Sequence, residues 1–423
     1  MVVYLWKTKL EDMNRIIIIG NGFDLAHNLK TKYEDFIDWY FGKWVKILKD
    51  STRCYAKDEL CEFQTRNNYE CFYSYFYNCS LDGNMCDLIR KTQQYYGLRF
   101  MPCSLLERML HSVETKGWVD IEADYYRMLV ECKGNKDELE KLNKDFAVIQ
   151  NLLVEYLNEI QEKDINEKIL IDEIQNQMLS PFSGKEISVE SNLLWRTFAS
   201  QRVNGNKEGY RQHLKDFGYE NVDCDYLNEI GHQEYSKLVD GKKVSDDIGY
   251  LLFLPNRVML LNFNYTKTAD LYLPKSGRFL VNHIHGDLSL PESVIFGYGD
   301  ESDDEYKRLQ KINDNEYLRH IKTNRYLETP NYRDLLAFID YAPFQVCIMG
   351  HSCGLSDKTL LNILFEHKNC VSIKPYYYVN EQGKDNYLDI VQNISRNFTN
   401  PQLMRDRVVN KTYCSPLPQK AKE

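Results

Sequence analysis

Two histidines in "VNHIHGDL", His283 and His285, stand two residues apart near the end of an apolar run, with Gly286 directly after them. Side chains at i and i+2 share one face of a strand, and histidine exchanges protons near neutral pH. One ring facing a cleft as a general base, with the other packed beside it, accounts for such a pair. Metal ligation is the rival use, but no acid, histidine and cysteine set lies close in sequence to complete a site, and no metal is expected. A second stretch, "NRIIIIGNGFDLAHNL", breaks a buried run on Gly20 and Gly22. Two glycines there let the backbone turn tightly and approach a ligand, and the following helix offers its N–H groups to an anion. Asn21, Phe23, Asp24 and His27 come with them as candidate nucleotide contacts. The dinucleotide fingerprint is incomplete, because Leu25 occupies the place of its third glycine. Asp24 suits ribose hydroxyls better than phosphate, and its plain alternative is a helix cap.

Two further strand ends carry polar residues. "LLNFNYTKTADLYL" sets Asn262, Asn264 and Thr266 where open α/β sheets hold their ligands. "VCIMGHSCGLSDKTLL" repeats the pattern of strand, glycine and polar turn with Gly350, His351 and Ser352, and Ser356 or Asp357 can cap the helix that follows. Gly350 to Gly354 also fits the GxSxG string of a nucleophile elbow, so a serine hydrolase using Ser352 is a rival reading. It needs a later acid and histidine, and the only histidine downstream is His367, at the end of the same helix. "WVDIE" places Trp118, Asp120 and Glu122 before a helix, where acids suit the helix dipole.

The elements that must position these residues follow from periodicity. Ile16 to Ile19 form a short β-branched run bounded by glycine, the mark of a buried parallel strand. After Gly249 the runs "NRVMLLNFNYT", "FLVNHIHGDL", "SVIFGYG", "FQVCIMGHSCG" and "NCVSIKPYYYV" read as strands, the later ones separated by helical stretches. That alternation argues a doubly wound, Rossmann-like α/β domain with a parallel sheet, built from residues 14–40 and 250–395. Between them, residues 41–249 carry apolar residues at three- and four-residue spacing and read as a large helical insertion. Residues 1–13 are set aside as an N-terminal extension and 396–423 as a loosely structured tail.

Composition narrows the function classes. The chain has 423 residues, 43% of them hydrophobic, and a net charge of −9 with no long basic run, so nucleic acid is a poor default partner. No apolar run approaches a membrane span, and the first residues lack a secretory signal, which predicts a cytoplasmic protein. The 12 cysteines include no CxxC pair and are expected as reduced, buried thiols.

No single motif decides, but their order does. GNGFDLAHNLKTKYEDF, WVDIE, FNYT, HIHG, VIFGYGDE and GHSCGLSD, in that sequence, resemble the AbiH family of bacterial phage abortive-infection proteins. More distantly the series is similar to the sirtuin-like NAD-binding fold. That second resemblance matches Gly20 and Gly22 to the first nucleotide turn, Asn264 to the asparagine that holds ribose and water, His285 to the catalytic base, and Gly350 and Ser352 to the turn beside the adenosine ribose. It gives His283 no chemical role. The four-cysteine zinc module of sirtuin deacylases is missing, since only a short loop joins Gly286 to Val294. What the resemblance implies is therefore cleavage of NAD, or a related nucleotide, at the nicotinamide–ribose bond, with NAD as substrate and a phage-derived trigger. A catalytically silent nucleotide sensor that signals to a partner is the alternative from another class. A homo-oligomer is compatible with either.

Overall fold

The computed structural model describes residues 12–79, 83–116, 120–132, 134–205 and 207–421. Residues 1–11 of the N-terminal extension and Trp118 lie outside the described residues. Eight strands are assigned among those described: β1 (Asn14–Ile19), β2 (Tyr55–Lys57), β3 (Cys61–Gln64), β4 (Arg99–Pro102), β5 (Val258–Asn262), β6 (Phe279–His283), β7 (Phe344–Met349) and β8 (Cys370–Tyr376). The chain divides into two compact units. One comprises Met1–Leu29, Asp164–Val294 and Arg325–Glu423; the other comprises Lys30–Lys163 and Ile295–Asn324.

The first unit is built on a five-stranded sheet of order β6-β5-β1-β7-β8, every pair parallel. Counting only these strands along the chain, the order is 3-2-1-4-5, the Rossmann-like winding with its switch point between β1 and β7. β1 is the natural centre because all six of its residues are buried, and a buried isoleucine contributes roughly 1.5–3 kcal/mol. Ile17 and Ile19 face a core formed with Ile174, Met178, Trp195, Phe198 and Phe253, so the later part of the expected insertion covers one face of the sheet. Helices Asn331–Tyr341 and Lys358–Phe365 pack on β6 and β8. Arg15 is a charge in a central strand, buried at 1% exposure. Its guanidinium donates to the carbonyls of Met178 (3.0 Å) and Ser180 (2.6 Å) and to Gln345 Oε1 (3.1 Å), which pins helix Asp172–Leu179 to the sheet.

Three expectations change here. Met13, set aside with the extension, is fully buried in the same core. "SVIFGYG" is not a strand; Tyr298 makes only an isolated bridge to Ile321. The tail is ordered: helix Pro401–Arg407 packs on β8, and Val408 and Pro416 bridge to Ile373 and Tyr377. Arg407 accounts for much of this, because its buried guanidinium donates to the carbonyls of Phe365 (2.7 Å) and His367 (2.8 Å) at the end of helix Lys358–Phe365. The Phe365 carbonyl lies in the last turn of that helix, where intrahelical donors run out.

The second unit is helical, as its periodicity predicts, with Tyr33–Lys49 and Lys136–Asp164 its longest helices. It also holds a small antiparallel sheet, β2-β3-β4, which the helical periodicity does not announce. Strands of three or four residues are too short for alternation to register. "WVDIE" and "VIFGYGDE" meet inside this unit. Asp120 caps helix Ile121–Glu131 by accepting from Ala123 N (2.9 Å). Glu122 accepts from Gly297 N (3.0 Å) and pairs with Lys322 Nζ (3.0 Å), and Tyr126 stacks on Tyr298 at 3.9 Å between centroids.

The Glu122–Lys322 pair is almost wholly out of water, at 10% and 1% side-chain exposure. Removing one partner of such a pair strands the other charge, which typically costs about 3–5 kcal/mol. Lys322→Met should lower stability by that amount in urea unfolding, and Glu122→Gln with Lys322→Met should recover most of it. A Lys322→Met chain as stable as wild type would show that the pair is neutral to folding.

Candidate active site

At the carboxyl edge of the sheet, β1 and β7 end side by side and each runs into a turn. The glycines of those turns are spent on each other. Gly22 N donates to Gly350 O (2.7 Å), and Gly20 N donates to Met349 O (3.3 Å). A Cβ on Gly20 would lie 2.5 Å from His351 Cα, and one on Gly22 2.8 Å from Gly350 O. Gly350 has φ +77°, and a Cβ added to it would lie 2.0 Å from Phe23 N. The first turn is thus no open phosphate cradle. It is one half of a backbone clasp at the switch point.

Several expected ligand contacts serve this clasp. Asp24 is 1% exposed and lies inside helix Asn21–Ala26, whose N-cap is Gly20, so it is not the cap. Its Oδ2 accepts from Thr266 Oγ1 (2.7 Å), which ties the loop after β5 to the first helix and turns Thr266 inward. Its Oδ1 is buried without a hydrogen bond of standard geometry. Burial pushes the Asp24 carboxyl up to about 6, against the pull of Thr266 and of nearby Thr268 and Asn264. Phe23 is core, its ring against His27 and Tyr272. His27 meets Phe23 O (2.6 Å) with Nδ1 and the Tyr272 hydroxyl with Nε2, and burial lowers it to about 4. It is a neutral packing residue with neither ring nitrogen left for a ligand. Asn21 stays exposed.

The residues able to do chemistry converge elsewhere on the same edge. His285 follows β6, and its Nε2 lies 3.3 Å from Asp357 Oδ1 and 3.2 Å from the Tyr326 hydroxyl. His351, in the turn after β7, brings its Nε2 to 3.5 Å from Asp357 Oδ2, while its Nδ1 accepts from Cys353 N (2.9 Å). One carboxylate therefore bridges two imidazoles, and the ring of Phe263, after β5, stands edge-on to both at 4.9 and 4.3 Å. Asp357 forms no side-chain cap on the helix it begins; its carboxylate is turned to the histidines instead.

His283 does not join this group. Its ring sits between Asn262 Nδ2 (3.3 Å) and Asp270 (3.1 Å), so the two histidines of HxH have separate partners. Among the described residues no group of three His, Cys, Asp or Glu side chains could hold a metal ion. Asn262 accepts from Asn264 N (3.0 Å) and shapes the loop, and Asn264 donates its amide to Gly20 O (3.1 Å), half-buried beside the clasp. Ser352 is exposed, and among the described residues its hydroxyl makes no hydrogen bond to a histidine. The residue with φ +54° is Cys353, not Ser352, and His367 pairs with Asp340 at the far end of the helix (3.4 Å). The nucleophile-elbow reading fails on each of these points. Phe263 and Tyr326 are not singled out as site residues by the sequence. Phe263 sits inside the quoted FNYT stretch, whereas Tyr326, in "NRYLE", carries no local signal.

Two outcomes follow. Gly350→Ala adds a clash to a left-handed backbone and should cost about 2–5 kcal/mol. Gly354→Ala, with no neighbour closer than 3.6 Å, should cost far less, and equal losses in thermal unfolding would deny the clasp. Asp24 sets a pH dependence. Its ordinary value is 3.8 and its folded value about 6, so the folded chain binds the extra proton between them. Stability is full at low pH and falls as pH rises through that window, by on the order of 2–3 kcal/mol. Asp24→Asn should flatten urea-unfolding stability between pH ~4 and ~6 and stabilise the chain at neutral pH. A destabilised variant at neutral pH would show that the carboxylate is favourable there.

Comparison with known proteins agrees with the order of motifs. No curated protein and no solved structure matches this chain. The family described as bacteriophage abortive infection AbiH matches residues 16–378, from β1 past the end of β8. That span takes in both glycine turns, the Asn264 loop and the His285–Asp357–His351 trio, and the chain belongs to the bacteriophage abortive infection AbiH family.

Proposed function

We propose that this abortive-infection protein cleaves the glycosidic bond of a nucleotide, with NAD as the first candidate substrate and His285 as the general base. The observation that carries the reading is the His285–Asp357 contact at the carboxyl edge, 3.3 Å with both side chains buried. A carboxylate behind an imidazole orients the ring and stabilises the imidazolium that forms when it takes a proton. In the proposed step His285 takes a proton from water, the water oxygen bonds to the ribose carbon, and the bond to nicotinamide breaks. The products are ADP-ribose, neutral nicotinamide and one proton. Phe263 and Tyr326 supply an aromatic wall suited to a flat sugar cation. Asn264, Asn21 and Ser352 lie at strand-end turns of the same edge as candidate ribose and phosphate contacts. The glycine turn does not support a pyrophosphate cradle, because Gly20 and Gly22 are closed by the second turn; the fit rests on the ribose end.

One observation favours the rival reading, a nucleotide sensor without turnover: His285 and His351 are only 4% and 7% exposed. Nicotinamide release from NAD by purified protein separates the two. His285→Gln and Asp357→Asn should each lose about 100- to 10,000-fold in rate, Asn264→Ala should also fail, and His283→Gln should keep most activity. NAD bound but intact would assign the site to sensing, and full activity in His285→Gln would remove His285 from the chemistry.

A further inference from the structure

The opposite, amino edge of the same sheet carries a second polar site that the proposed chemistry does not use. A cavity of about 210 Å³ there is lined by Gln201, Arg202, Tyr210, His213, Asn256 and Arg278. Asn256 and Arg278 directly precede β5 and β6, far along the strands from the turns that hold His285 and His351. Arg202 spends Nη2 on Leu254 O (3.2 Å) and Asn256 Oδ1 (2.7 Å), while its Nε is buried without a partner. Arg278 spends Nε on Asp216 (2.8 Å) and Nη1 on Asn256 O (3.3 Å). His213, 2% exposed, is stacked between Phe217 and Tyr210, and its Nε2 has no partner.

We propose that this cavity binds a phosphate-class anion that carries a hydroxyl: monohydrogen phosphate or a sugar phosphate. Guanidinium N–H groups match phosphate oxygens in number and geometry. Among the described residues two acids lie beside them: Asp216, already committed to Arg278, and Asp12, which accepts from Asn256 Nδ2 (2.6 Å). They offset the arginine charge without occupying the Arg202 Nε or the His213 Nε2. Burial, and then the two arginines, hold His213 down to about 2, and its ring bonds to the Pro255 carbonyl. That bond takes the proton to Nδ1 and leaves Nε2 a bare acceptor. A neutral acceptor beside arginines asks for an oxyanion that also donates. Inorganic phosphate does so at neutral pH through its remaining P–O–H, a sugar phosphate, whose second phosphate pKa is about 6, does so through its sugar hydroxyls, and fully ionised sulfate does not. A buried acceptor that meets only an oxygen lone pair stays unsatisfied, and its desolvation is left uncompensated.

The test is a thermal-shift titration of the full chain with inorganic phosphate, ribose 5-phosphate and sulfate at matched ionic strength, supported by phosphorus NMR line broadening. Phosphate should raise Tm by about 2 °C or more near saturation, and sulfate should do much less. Arg202→Gln should abolish the phosphate effect, and Arg278→Gln, at a partly exposed pair, should weaken it if the first variant folds poorly. Stronger binding of ribose 5-phosphate assigns the cavity to a sugar phosphate, and equal binding assigns it to the free ion. Sulfate matching phosphate, no shift with either phosphate, or shifts unchanged in both variants would overturn the proposal. Nicotinamide release plays no part in this readout, so its result stands apart from that of the carboxyl edge.

Discussion

The contact on which the candidate site depends is backbone on backbone: Gly22 N–H to the Gly350 carbonyl, with Gly20 against His351. β1 and β7 are neighbours in the sheet but far apart in the chain, and only residues without Cβ atoms let their end turns meet this closely. Once they meet, Asn264 is held by the Gly20 carbonyl and Thr266 by Asp24. The turn after β7 then presents His351 and Asp357 towards His285. Glycines that would ordinarily be read as making room for a phosphate make room for another turn.

The electrostatics of the edge divide into two kinds. Asp24 is a carboxylate buried for architecture, its Oδ2 held by the Thr266 hydroxyl, and burial raises its proton affinity. Asp357 is a buried carboxylate set between two imidazoles. The same side chain meets different neighbours at the two places: a threonine hydroxyl at Asp24 and two imidazoles at Asp357.

The second unit shows that a family's motif set need not mark one site. Glu122 of WVDIE bonds to Gly297 of VIFGYGDE, and Tyr126 and Tyr298 stack beside them. These residues join the two chain segments of that unit. A buried acid paired with Lys322 and a backbone N–H is fully accounted for by holding them together.

What the sequence determined by itself was mostly local. Ile16 to Ile19, the glycine-bounded strand ends and the alternation after Gly249 were enough to read a parallel α/β sheet, because β-branched runs and turn glycines state their conformation within a few residues. His285 was legible as a candidate base from its place beside Gly286. Tertiary structure alone decided which polar residues look outward. Asp24, Thr266 and His27 stand in the same motifs as the candidate site residues, yet they face partners in the interior, and Asp357 has a capping residue's sequence context but no cap. Those outcomes depend on Thr266, Tyr272 and His285, which lie on other strands and loops. Side-chain direction at a strand end is set by such long-range packing, and no spacing along the chain encodes it.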